Sequence, residues 1–243
     1  AGAGGRSVAP METVVLAPNL YQLRMEVGHA YLWRDPGALT LIDTGPPGSG
    51  EPIIDAIERL GWDPGELRTV VLTHFHADHA GGAAELAHRD GVTVVAHRLE
   101  APVIRGEATG PAPDMAGAPQ WERDLYDEVP HPPPAAPAPV HREVADGDEL
   151  DIAGGAVVVE VPGHTDGSIA LHLPAPGVLF TGDAAAGAHG GVIPGVFHAD
   201  RVRAAESFRR LAGLEVETVC FGHGDPLLGG AGVALRRAAA ALD

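Results

Sequence analysis

Four residues within the stretch THFHADHAGG, namely His74, His76, Asp78 and His79, bring imidazole nitrogens and a carboxylate into one short loop. Three more residues of the same kinds follow a β-like run each: His164 in VPGHTDGS, Asp183 in LFTGDAAAG and His223 in VCFGHGDP. Glycines flank all three, which lets the backbone turn sharply and sets a side chain at a strand end. Zinc takes imidazole nitrogen and carboxylate oxygen, and catalytic zinc keeps a position open for water. An inventory of five histidines and two carboxylates suits two ions sharing a bridging hydroxide. The spacing of His74 and His76 lets both reach one ion. Asp78 and His79, on the next turn, face the other.

Any one of the remaining histidines is better read as a surface or hydrogen-bonded core residue. The cluster joined to three glycine-flanked partners in this order is a different matter, because each piece supplies what the others lack.

These ligands must be positioned by strands and helices. Short β-like runs (TVVL, LYQLRM, AYLW, ALTLID) separated by turn residues read as a meander of hairpins. SGEPIIDAIERLG has helical period and a glycine stop, and LRTVVLTH is a continuous apolar run, as in a buried strand. The ligand loop thus leaves a strand end, where open α/β folds place their sites. AGGAAELAHRD and RLEAPVIRG read as helices around the strand VTVVAH. The second half begins with a hairpin, GDELDIAGGAVVVEVPG, and the strands SIALHL and GVLFTGD. A helix over DRVRAAESFRRLAGL follows, with Asp200 as its N-cap, then the strand ETVCFGHG and a final helix. Two halves of this kind imply two sheets packed face to face with helices outside.

Residues 105–140 break the pattern with nine prolines and little periodicity. A loop this long is either a surface excursion or a functional cover, and Trp121, Leu125 and Tyr126 are its apolar anchors. The domain reading is a flexible or non-native lead over 1–12 and one domain over 13–243, with 105–140 as an insertion or lid. The formal net charge is −17, every basic residue is arginine, and no apolar run would span a membrane. Nucleic acid and membrane partners are therefore not expected. A lone cysteine, Cys220, excludes an internal disulfide and fits a cytoplasmic chain. A homodimer remains open.

Together HFHADH, GHT, GD and GHG, with LIDTG ahead of the first helix, resemble the metallo-β-lactamase-fold superfamily from about Thr13 onward. That resemblance implies an α/β fold, a four-layer αββα sandwich of two mixed sheets with outer helices. It implies that His74, His76 and His164 bind one ion, that Asp78, His79 and His223 bind the other, and that Asp183 bridges. Asp43, with Thr73 and Thr165, would support the ligands from behind. Departures narrow the field. Classical lactamases of the fold carry cysteine or serine where Asp183 stands, and flavodiiron members carry glutamate at His76. Glyoxalase-II proteins have a helical C-terminal domain, whereas about 20 residues follow GHG here. Many acyl-homoserine lactonases place tyrosine where Ala186 stands.

The expectation is a hydrolase with two Zn²⁺ acting on a lactone, ester or thioester, a small-molecule substrate whose carbonyl a metal-bridging hydroxide attacks. Asp78 and Asp183 carry the chemistry. The alternatives are a dioxygenase with one Fe²⁺, of the persulfide-dioxygenase type, and a lactamase-like amide hydrolase. The apolar, glycine-rich stretch after Asp183 reads as a loop. Val192, Ile193, Phe197, His189 and His198 from it, and Met25 and His29 from the first hairpin, are the expected pocket walls.

Overall fold

The computed structural model describes residues 11–242. Most of the proposed lead over 1–12 lies outside them, and Glu12 opens the first strand. That sheet contains β1 (Glu12–Ala17), β2 (Leu20–Arg24), β3 (His29–Asp35), β4 (Ala38–Ile42), β5 (Leu67–Leu72), β6 (Thr93–His97) and β7 (Arg142–Val144) in sequence order. The hairpins β1 to β4 are antiparallel, and β4 to β7 run parallel. The parallel part needs crossovers, which supply α1 (Gly50–Arg59), α2 (Ala77–Ala80), α3 (Ala83–Ala87), α4 (Ala101–Ile104) and α5 (Gln120–Glu128).

The second sheet is built from β8 (Glu149–Leu150), β9 (Ala156–Glu160), β10 (Ile169–Leu173) and β11 (Val178–Phe180). A separate hairpin, β12 (Ala185–Ala188) with β13 (Gly191–Pro194), then precedes α6 (Arg201–Ala212). The strands β14 (Thr218–Cys220) and β15 (Leu227–Leu228) complete the sheet, in the order β15-β14-β11-β10-β9-β8, and α7 (Ala231–Ala239) closes the described chain.

Side-chain alternation makes the layers. In β3, Tyr31 and Trp33 face the second sheet while Ala30 and Leu32 face α1. In β10, Ile169, Leu171 and Leu173 enter the cluster between the sheets, and Ala170 turns to the cluster of Phe208, Leu211 and Leu235 on α6 and α7. Three apolar clusters therefore separate four layers, helix, sheet, sheet, helix, as the sequence implied. Cys220 lies fully buried in the central one.

Three segments differ from their sequence reading. The stretch AGGAAELAHRD holds the last residue of α2 and then the short helix α3, because α2 ends where Gly81 and Gly82 press against the backbone of Pro46, Pro47 and Thr44. The glycine-rich stretch after Asp183 is the β12–β13 hairpin, with His189 and Gly190, both at positive φ, making the tight reversal. The proline-rich span contains α5, started after Pro119, a residue that suits a helix N-terminus. Among the described residues no helix is long and apolar enough to cross a membrane.

The cap on α6 is as read: the Asp200 carboxylate accepts from Val202 N and Arg203 N. Asp200→Ala should cost about 1 kcal/mol. Leu171→Ala, in the fully buried layer between the sheets, should cost about 2–5 kcal/mol. Urea denaturation midpoints of the two variants check both the values and their order.

Candidate metal centre

Parallel pairing lines up the ends of the strands that carry the site. β4 runs beside β5, so Asp43 sits next to Thr73, and β11 runs beside β14, so Asp183 sits next to His223. The Thr73 carbonyl accepts from Ile169 N of β10, which fastens the edges of the two sheets where the ligand loops emerge. Gly222 allows the last approach: a Cβ there would lie 2.2 Å from Asp183 Oδ1 and 2.5 Å from His79 Cε1.

Asp43 fixes two histidines at once. Its Oδ1 accepts from Thr73 N at 2.7 Å, and its Oδ2 accepts from Thr73 Oγ1 at 2.8 Å and from His79 Nδ1 at 2.9 Å. The Thr73 hydroxyl has one proton, and the carboxylate takes it. The hydroxyl oxygen must then accept from His74 Nδ1, 3.0 Å away. Both rings therefore keep hydrogen on Nδ1 and turn a bare Nε2 inward. A third ring is set in the same way, since His164 Nδ1 donates to Val196 O at 3.0 Å.

The inward atoms converge in three overlapping groups, His74, His76 and His164; Asp78, His79 and His223; and His74, His79 and Asp183, each with its candidate atoms within 4.8 Å of one another. His76 Nδ1 is 3.1 Å from His74 Nε2 and 2.9 Å from His164 Nε2. Asp78 Oδ2 is 3.2 Å from His223 Nε2 and 3.6 Å from His79 Nε2. Asp183 lies between the first two groups. Its Oδ1 is 3.2 Å from His79, and its Oδ2 is 3.3 Å from His223, 3.5 Å from His164 and 4.0 Å from His74.

Bare nitrogens facing carboxylate oxygens repel unless positive charge sits among them. Protons do this in the metal-free protein. The Asp183 carboxylate draws His223 up to about 10. Burial drives the fully enclosed His164 the other way, to about 3. Asp183 Oδ1 is buried without a hydrogen-bond partner among the described residues. A divalent cation satisfies such a set better than protons can, because it meets several lone pairs at once, and imidazole with carboxylate suits zinc and its neighbours. The residues fit a metal.

A Metallo-beta-lactamase superfamily profile matches residues 23–223 of this chain. The chain belongs to that superfamily. It is 33% identical over 133 residues to a hydroxyacylglutathione hydrolase of Rhizobium meliloti (strain 1021), covering 54% of this chain and 38% of that protein. A hydroxyacylglutathione hydrolase of Cereibacter sphaeroides (strain ATCC 17029 / ATH 2.4.9) is 31% identical over 80% of this chain and 62% of its own length. The chain thus spans less than two thirds of these relatives. The probable metallo-hydrolase YflN of Bacillus subtilis (strain 168) is 29% identical, with 88% and 86% covered. Among solved structures, a Cronobacter sakazakii metallo-beta-lactamase superposes with a TM-score of 0.68 at 22% identity, covering 88% of this chain and 79% of that one. At that identity the likeness is one of fold.

In this member of the superfamily the inner ligand candidates open onto a cavity of about 480 Å³ with His76, Asp78, His164, Asp183 and His223 at its floor. Ile193, Phe197 and Glu26 line it. Five expected wall residues do not line it. Strand alternation puts Val192 opposite Ile193, into the core under α6. His189 is exposed at the hairpin turn with φ 52°. The His198 ring is buried behind His164, 5.9 Å between centroids. Met25 and His29 border a different cleft with Arg24 and Asp225, because their hairpin backs the His223 loop, His29 N donating to Gly222 O. The Thr165 hydroxyl donates to Glu100.

No local pattern marks that glutamate. Glu100 is 1% exposed and accepts from Phe75 N at 2.8 Å, Thr165 Oγ1 at 3.0 Å and Gly167 N at 2.8 Å. It thereby ties the loop of His74 and His76 to the loop of His164. Glu122 is the second omission. It accepts from Phe197 N and from Arg201 Nη1 and Nη2, and so fastens α5 to the segment whose Val196 carbonyl holds His164. Residues Leu125, Tyr126, Val129, Pro130 and Pro132 of the proline-rich span line the cavity, and Tyr126 packs edge-on against Phe197. Trp121, one of the three expected anchors, points to solvent at 59% exposure, and buried Glu122 fastens the helix instead. A surface glutamate and a buried one look alike in sequence.

Asp43→Asn would place an amide N–H₂ against groups that are all donors, so one ring must lose its tautomer. Competition with a chromophoric chelator should show divalent-metal affinity falling about 10–100-fold.

Proposed function

We propose that this chain is a dinuclear zinc hydrolase that cleaves a lactone, ester or thioester. The observation that carries the reading is Asp183, set between two triads of ligand candidates and within 3.2–4.0 Å of a nitrogen from each. The names of its relatives, hydroxyacylglutathione hydrolase and probable metallo-hydrolase, support the same class of reaction. When bound, the zinc ions supply a nucleophile derived from water near neutral pH and a Lewis acid for the carbonyl.

The chain supplies the rest. His74, His76 and His164 would hold one ion and Asp78, His79 and His223 the other, with Asp183 between the two sets. Asp43, through Thr73 and directly, keeps two of the rings from turning. Asp78 faces the cavity with its side chain 17% exposed, while the His79 ring beneath it is sealed. From that position it orients the attacking water and takes its proton. The wall of α5 and Phe197 excludes bulk water and holds the acyl part against the floor, so residues 105–140 act as a cover over the site.

Metal analysis of protein purified from medium containing both zinc and iron should give about two equivalents, mostly zinc. His164→Ala and His223→Ala should each lose about one. A single equivalent of iron in the parent protein would overturn the reading in favour of the dioxygenase.

Asp78→Asn keeps size and one oxygen donor but cannot take up a proton. Its kcat should fall about 10²–10⁴-fold with a smaller change in KM. Zinc measured on the same sample separates lost chemistry from lost metal. Near-full activity with bound zinc would sink the role given to Asp78.

A further inference from the structure

Above the ligand set the permanently charged side chains lining the cavity are acidic, and His131 is the one histidine outside that set on its lining. Its exposed rim holds Glu26, and its floor holds Asp78 and Asp183. No arginine lines it among the described residues, and the chain contains no lysine. The arginine behind the wall, Arg201, is taken by Glu122 at 2.8 and 3.0 Å, and Arg24 of the neighbouring cleft is taken by Asp225. The net charge of −17 adds a field of the same sign. The upper wall is apolar. Leu125 and Ile193 stand 36% and 38% exposed, and both turn to this cavity, beside Tyr126 and Phe197. Exposed apolar groups that converge on one cleft are groups a ligand can cover.

Resting on the hydrolase reading above, we infer that the substrate is an uncharged carbonyl compound with an apolar acyl chain, and that thioesters with an anionic thiol part, hydroxyacylglutathione among them, are excluded. Zinc at the floor attracts the reacting oxygen. Carboxylates remote from the reacting carbon lie instead at the rim, where they meet Glu26 and find no arginine or lysine among the described residues. Exclusion of this kind works by an unpaired like charge, which rejects the wrong ligand without improving the right one. The acyl chain lies along Leu125, Tyr126 and Ile193.

Two thioethers that cannot be hydrolysed separate the cases: S-octyl-N-acetylcysteamine, which is neutral, and S-octylglutathione, which is anionic. Calorimetric titration of the zinc-loaded protein should show the neutral probe binding about tenfold tighter, with the gap closing as salt is added. Shortening its alkyl chain should weaken binding by up to about fourfold per methylene. Leu125→Ser and Ile193→Ser, both at exposed positions that the fold tolerates, should flatten that dependence. Glu26→Arg should narrow the gap between the probes. Equal or tighter binding of S-octylglutathione, or no dependence on chain length, would overturn the inference. Binding requires no turnover, which keeps the two readings apart. A neutral preference with no hydrolysis of the matching octanoyl thioester, its oxygen ester or a medium-chain lactone would overturn the hydrolase reading and leave the ligand class standing. Octanoylglutathione cleaved with kcat/KM at or above that of the neutral thioester would do the reverse.

Discussion

One carboxylate, Asp43, holds the centre in shape. A buried carboxylate is costly unless its lone pairs are filled, and here a backbone N–H, a hydroxyl and an imidazole fill them. That satisfaction has a directional result. With every partner a donor, the protons on Thr73, His74 and His79 have only one arrangement, and bare nitrogens face the middle of the site. The backbone at Asp43 is left-handed, φ 57°, a conformation that aspartate tolerates better than most residues. The parallel pairing of β4 with β5 is what brings this residue within reach of Thr73.

The two sheets meet the same constraint from opposite sides. The first supplies the loop with four ligand candidates, and the second supplies His164, Asp183 and His223 at the ends of strands that point the same way. Glu100 and the hydrogen bond from Ile169 to the Thr73 carbonyl then close the seam between them. A site assembled across a seam depends on such ties more than on any single strand.

How much of this was legible in the sequence follows from what kind of signal each part leaves. Ligand types and their spacing are local, so the seven candidates and the layer order could be read from runs such as THFHADH and LRTVVLTH. The cap at Asp200 was local as well. The pocket walls were not. Val192 and Ile193 are adjacent and equally apolar, and only the hairpin register decides which one faces the cavity. Trp121 looked like an anchor because it is large, whereas Glu122 anchors because Arg201 and Phe197 N, about 75 residues away and more, come to meet it. Long-range partners leave no mark on a single sequence.

Cys220 sits between the sheets, fully covered, and burial pushes its thiol well above the usual range. Only a thiolate reacts quickly with an alkylating reagent, so in the closed fold this sulfur is silent. It becomes reactive when the layers part. The chain therefore carries a clock for its own opening: with reagent in excess, the rate at which one sulfur is consumed counts how often the sandwich separates, with no label added.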